Sequence, residues 1–111
     1  MPLMTTKPMF DLAYDGGFAV GAFNVNNMEL AQSIIDAAVE EHPELPIAVH
    51  CDHGDTVDLI KTCINDGYTS VMIDGSHHPY DENVHVTAEA VKVAHASGVV
   101  VELRLMWQTQ R

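Results

Sequence analysis

The sequence predicts an α/β protein in which about four parallel βα units form part of a (β/α)8 TIM barrel that does not close. Two observations predict it. Short apolar runs alternate along the chain with stretches whose apolar residues recur at helical spacing, and strands separated by helices pair in parallel through right-handed crossovers. The runs are also rich in Val, Ile and Ala without polar alternation, as in strands buried on both faces. A doubly wound open sheet shares these features. No Gly-x-Gly-x-x-Gly follows the first run, and Asp15-Gly16-Gly17 precedes it instead, which favours the barrel.

Thr5 or Thr6 can cap a first helix with Pro8 near its opening turn, and Gly16-Gly17 ends it where a left-handed residue is wanted. Residues 18–23 are the first expected strand, and Asn24-Val25-Asn26-Asn27 is a polar turn ending in a good N-cap. A helix over 28–41 follows, in which Leu30, Ile34 and Ala38, with Ala31 and Ile35 beside them, make one apolar stripe. Pro43 and Pro46 close it. The second strand spans 47–51 and leaves through Asp52-His53-Gly54, where the glycine supplies the turn. Asp55 or Thr56 caps a helix with Val57, Ile60 and Ile64 on one face and Gly67 beyond its end. Strand three covers 69–73, and a loop through Pro79 leads to a helix over 81–97 with Val84, Ala88, Val91 and His95 on one face. Gly98 stops it, and 99–103 is strand four.

At 111 residues the chain allows one domain, read as a barrel portion over 1–105 and a tail over 106–111. A hydrophobic content of 47% is too high for disorder, and no apolar run is long enough to span a membrane. With 5 Lys+Arg against 16 Asp+Glu the net charge is −11, so neither nucleic acid nor an anionic membrane surface is an expected partner. The amino end, MPLMTTKPMF, lacks a basic stretch followed by a long apolar one, which predicts a cytoplasmic protein. Cys51 and Cys63 fall inside predicted elements with no Cys-x-x-Cys pair, so both are expected to be reduced.

The densest polar cluster, His50-Cys51-Asp52-His53-Gly54, ends strand two. Neighbouring strand residues face opposite ways, so Asp52 and His53 can address one ligand only if the chain turns there. An imidazole suits zinc, and a carboxylate beside a metal-held substrate is a candidate base. The bland reading makes Asp52 a helix cap and His50 and His53 ordinary polar residues. The loop Asp74-Gly75-Ser76-His77-His78-Pro79 follows strand three at the equivalent level, where barrel enzymes carry their active sites; Asp74 therefore belongs near Asp52. His77 and His78 are better read as a solvated turn. Glu102, in strand four, is either a third inward-facing group or a residue facing solvent.

Three segments together resemble the class II, metal-dependent fructose-bisphosphate aldolases, a barrel family. They are Gly21-Ala22-Phe23-Asn24-Val25-Asn26-Asn27, Pro46-Ile47-Ala48-Val49-His50-Cys51-Asp52-His53-Gly54 and Thr69-Ser70-Val71-Met72-Ile73-Asp74-Gly75-Ser76-His77-His78-Pro79. The resemblance implies cleavage of fructose 1,6-bisphosphate to glycerone phosphate and glyceraldehyde 3-phosphate, a step of glycolysis, with a Zn2+ that polarises a ketone and stabilises the enediolate. It makes Asp52 the proton-transferring residue, His53 a zinc ligand, Asp74 a ligand at a second divalent cation position and Asn24 a substrate contact. Tagatose-bisphosphate aldolases share these motifs and are an alternative.

The chain departs from the family in three ways. One strand and much of its helix are missing between Ala38 and Pro43. The family's Glu-x-Glu becomes Glu102-Leu103-Arg104, with a cation in place of the second carboxylate. Two further zinc-binding histidines and the phosphate loops have no counterpart within these residues. A whole barrel takes about 250 residues, so this chain is expected to bind metal weakly and turn over almost nothing. Its open sheet edges and an uncovered apolar sheet face would promote self-association or aggregation; a non-catalytic association module is the rival reading.

Overall fold

The computed structural model describes residues 3–104, and the chain divides after Ile47 into two compact units. The tail expected at 106–111 lies outside the described residues.

The first unit holds α1 (Thr6–Gly16) and α2 (Met28–Glu41). α1 stops at Gly17, whose φ of 66° is left-handed, a geometry a Cβ disfavours. At the start of α2, Asn27 Oδ1 accepts a hydrogen bond from the Leu30 N–H at 2.8 Å, one of the backbone donors that a helix leaves unpaired. The expected apolar stripe forms, yet α2 buries none of its residues fully; Ala31, Ile34, Ile35 and Ala38 are half-buried and Leu30 is exposed. The strand expected at 18–23 does not form: the segment is almost wholly exposed and in no ladder. A strand exists only by hydrogen-bonding a neighbour, and an apolar run without one remains an extended loop. Among the described residues, the unit's ladder contact is a parallel bridge of Leu3 with Ile47.

The second unit runs β1 (His50–Gly54), α3 (Val57–Asn65), β2 (Ser70–Ile73), α4 (Tyr80–Ala96) and β3 (Val100–Leu103). Its strands make one parallel sheet in the order β1-β2-β3. Sequential order means that each helical crossover carries the chain one strand further the same way, as in a barrel wall. The fold is therefore the expected open α/β barrel portion, with three paired strands because the first run stays unpaired. β1 also begins and ends later than expected. Pairing starts where the Val49 carbonyl accepts from Thr69 and Ser70 at 3.0 and 3.2 Å, and it continues past the apolar run because backbone ladders are indifferent to the polarity of Asp52 and His53.

Ile60, Cys63, Val71, Ile73, Ala90, Ala94 and Val99 form the core between sheet and helices, with Cys51 and Val101 packed against it. By the register and the period of two, the opposite sheet face carries His50, Asp52, Ser70, Met72, Val100 and Glu102. It is mixed and largely polar, not the apolar face expected. Glu102 is exposed, so it is no buried charge. α4 is turned by one residue from expectation: Asn83, Thr87, Ala90 and Ala94 are buried, while Val84 is exposed. Hydrogen bonds allow this. Asn83 Nδ2 donates to the Arg104 carbonyl at 3.1 Å and the Thr87 hydroxyl donates to Asn83 Oδ1 at 3.2 Å, so both polar side chains are satisfied inside. Cys51 and Cys63 are unpaired. Among the described residues no helix is long and apolar enough to cross a membrane.

Candidate functional site

The ladder between β1 and β2 pairs His50 with Ser70 and Cys51 with Val71, then skips to Gly54 with Ile73. Three steps on β1 thus match two on β2, and the extra residue is a bulge, a device that re-aims side chains. His53 absorbs it with a φ of 53°, left-handed geometry that is uncommon outside glycine. The turn that lets Asp52 and His53 address one ligand is therefore made by His53 itself. Gly54 matters for another reason. A Cβ there would lie 2.8 Å from Ile60 Cδ1 and 3.0 Å from the Met72 carbonyl oxygen, so the glycine permits close packing of strand against helix and neighbouring strand.

Around the bulge the polar groups gather. Asp52 Oδ1 lies 3.7 Å from His53 Nε2 and 4.0 Å from His50 Nε2. His53 Nδ1 meets Asp74 Oδ2 at 2.7 Å, and His50 Nδ1 meets Ser70 Oγ at 2.8 Å. The Asp74 N–H donates to the Gly54 carbonyl at 2.8 Å, tying the loop after β2 to the end of β1. The Ser76 hydroxyl, then the His53 ring, then the Ser76 backbone N–H hold the Asp74 carboxyl well below the usual carboxylate range. An ionised carboxylate only accepts, so neutral His53 carries its proton on Nδ1 and turns the Nε2 lone pair toward Asp52. Such carboxylate–imidazole pairs orient metal-binding histidines.

Asp52, His53 and Asp74 are thus brought together at the carboxyl ends of adjacent parallel strands. Asn24 belongs to the first unit, in an exposed segment without regular structure. His77 and His78 form the turn before α4, their rings 4.0 Å apart, with His78 Nδ1 3.2 Å from Glu82 Oε1. The structure adds Ser70 to the site and sets His50, which the sequence reading names in the cluster without a role, beside Asp52, two places along the strand and so on the same face.

This donor set fits zinc only in part. His53 Nε2 is a free imidazole donor beside a carboxylate, which suits one corner of a zinc site. Among the described residues no three His, Cys, Asp or Glu side chains converge on one point, and such sites use three or four protein ligands.

The sequence model of class-II fructose-bisphosphate aldolase matches residues 4–45 and 37–105. The chain belongs to the class II fructose-bisphosphate aldolase family. A fructose-bisphosphate aldolase from Giardia intestinalis is 43% identical over 136 aligned residues, covering 95% of this chain and 42% of that protein. One from Geobacillus stearothermophilus is 38% identical over 138, covering 95% of this chain and 48% of the relative. Among solved structures, the YdjI aldolase of Escherichia coli K12 superposes with a TM-score of 0.79 at 26% identity, over 93% of this chain and 50% of that one. The chain therefore spans less than half the length of the two relatives matched by sequence. Since 95% of 111 residues is about 105, the 136-residue Giardia alignment leaves about 31 positions unmatched in this chain, roughly the size of a βα unit. Residues 37–45 match the family twice, which agrees with an internal unit lost between Ala38 and Pro43. In a barrel wall each strand pairs with the next, so a unit lost at that place would leave the run at 18–23 without a neighbour.

Proposed function

We propose that the chain carries the Asp52–His53 corner of an aldolase site acting on fructose 1,6-bisphosphate, yielding glycerone phosphate and glyceraldehyde 3-phosphate in cytoplasmic glycolysis. The observation that carries this reading is the bulge in β1, which sets Asp52 Oδ1 3.7 Å from His53 Nε2 in a chain of this family. Asp52 takes the proton from the substrate hydroxyl at its carboxylate and returns one to the product. His53 offers Nε2 as a zinc donor, with its ring orientation fixed through Nδ1, and Asn24 contacts the substrate. Asp74 lies at a second divalent cation position in the family pattern. Zinc, when bound, supplies Lewis acidity toward the substrate carbonyl. An acidic chain can still take a bisphosphate, because backbone N–H groups supply local positive potential.

With one imidazole in place, the 111-residue chain by itself binds zinc weakly and turns over almost no substrate. The test is an aldol-cleavage assay with added Zn2+, paired with zinc titration monitored by a competing chromophoric chelator. Weak binding that His53→Ala removes, with negligible cleavage, is the expected result. Unchanged zinc binding in His53→Ala refutes the donor assignment, and robust cleavage indifferent to Asp52→Ala refutes the base. A second reading, association through the outer edges of β1 and β3, draws support from the sheet order, which leaves those two strands outermost, and from Leu103 of β3, which is exposed at 45%. Like charge opposes self-pairing in a chain of net charge −11, and size-exclusion chromatography across a salt series separates the two tendencies.

A further inference from the structure

We propose that His50 is a positioning residue for Asp52: held by Ser70, it presents an Nε2–H that keeps the carboxylate beside His53. The inference deepens the reading above and depends on it only for what Asp52 then does.

Asp52 is a half-exposed side chain on an irregular strand, and its ionisable neighbours within 4.0 Å among the described residues are two imidazole nitrogens, His50 Nε2 at 4.0 Å and His53 Nε2 at 3.7 Å. The two neighbours are not alike. His53 Nδ1–H donates a hydrogen bond to the ionised Asp74, so in the neutral ring its Nε2 is a lone pair that repels the carboxylate. His50 is placed differently. Its Nδ1 lies 2.8 Å from the hydroxyl of Ser70, its register partner on the same sheet face, and Ser70 is fully buried.

A hydroxyl can donate or accept, so the Ser70 contact alone leaves the tautomer open. The carboxylate decides it: a lone pair on His50 Nε2 would oppose the negative charge, whereas a proton there attracts it. The consistent assignment is Ser70 O–H donating to Nδ1 and Nε2–H facing Asp52. The two histidines on either side of Asp52 then carry opposite tautomers, one attracting and one receptive. His50, only a quarter exposed and anchored on a buried serine, is the rigid partner. Asp52 would otherwise rotate freely toward solvent. Such freedom at a base is costly, since proton transfer demands hydrogen-bond reach.

The test is NMR on the 15N-labelled 111-residue chain without metal. Long-range imidazole correlations are expected to show His50 with Nε2–H and His53 with Nδ1–H, and the two Hα–Hβ couplings of Asp52 to differ clearly, as for a single χ1 well. His50→Leu should lose that difference, and His50→Gln, whose amide N–H reaches the same place, should restore it. Ser70→Ala should reduce it. His50 protonated on Nδ1 in the unmodified chain overturns the proposal, as do Asp52 couplings that stay distinct in a folded His50→Leu. Should His50→Leu fail to fold, the tautomers and Ser70→Ala still decide. These readouts are independent of turnover: Asp52 fixed in a chain that never cleaves sugar in any assembly sinks the function alone, and Asp52 free despite Asp52-dependent cleavage sinks only the role of His50.

Discussion

Gly75, between Asp74 and Ser76, is the position where one methyl group should do the most damage. A Cβ at this residue would lie 2.5 Å from Asn83 Oδ1, 2.9 Å from Asn83 Cγ and 3.2 Å from Val86 Cγ2. Asn83 cannot step aside. It is 1% exposed, and moving it forfeits its bonds to the Arg104 carbonyl and the Thr87 hydroxyl. Overpacking of this kind costs about 1–3 kcal/mol, and each of the two net hydrogen bonds adds about 1 kcal/mol, so Gly75→Ala should destabilise the chain by roughly 3–5 kcal/mol. For a domain of this size that corresponds to a fall in Tm of well over ~10 °C. Urea unfolding followed by far-UV circular dichroism reads the change as a lowered midpoint at unaltered slope. Gly67→Ala is the control, since Gly67 has a φ of 91° and nothing within 4 Å of a new Cβ, leaving only a backbone cost of about 1–2 kcal/mol. Equal midpoints for Gly75→Ala and the unmodified chain would refute the packing argument.

Further outcomes can be measured in the same way. The left-handed φ of 53° at His53 should make His53→Val about 1–2 kcal/mol less stable than His53→Asn, because a β-branched residue tolerates that region worst; matching urea midpoints would contradict the strain. Ile60 is fully buried, so Ile60→Ala should cost roughly 2–5 kcal/mol, whereas Leu30→Ala on α2 should stay within about 0.5 kcal/mol. Burial, and then the hydrogen bond with Cys63, push the Cys51 thiol from 9.0 up to about 11. Iodoacetamide should therefore label Cys51 slowly in the native chain at neutral pH and quickly in urea. The protonated thiol favours the folded state, so this contribution is present below pH 9.0 and is lost as pH rises through about 11.

Much of this is legible in the residues. Asn27 and Thr56 cap α2 and α3 as their chemistry suggests, Gly17 takes the left-handed angle that ends α1, and Asp52, His53 and Asp74 meet because parallel βα units deliver successive strand ends to one side. Three features are not. The run at 18–23 has strand-like composition, but composition cannot report whether a neighbour exists to pair with. The buried face of α4 departs from its apolar pattern because hydrophobicity ranks Val84 above Asn83, and only tertiary hydrogen bonds reveal that Asn83 and Thr87 are satisfied inside. The bulge in β1 leaves no mark in apolar spacing, so Gly54 looks like the turning residue when His53 makes the turn.

The half-covered stripe of α2 matters for the chain's fate as well as its shape. A helix with no fully enclosed side chain draws little stability from its own surroundings, and its greasy flank is the kind of surface that holding chaperones grip and proteases sample. Inside a cell, the amount of this polypeptide would then be governed by how quality control handles that flank, ahead of any chemistry at the strand ends.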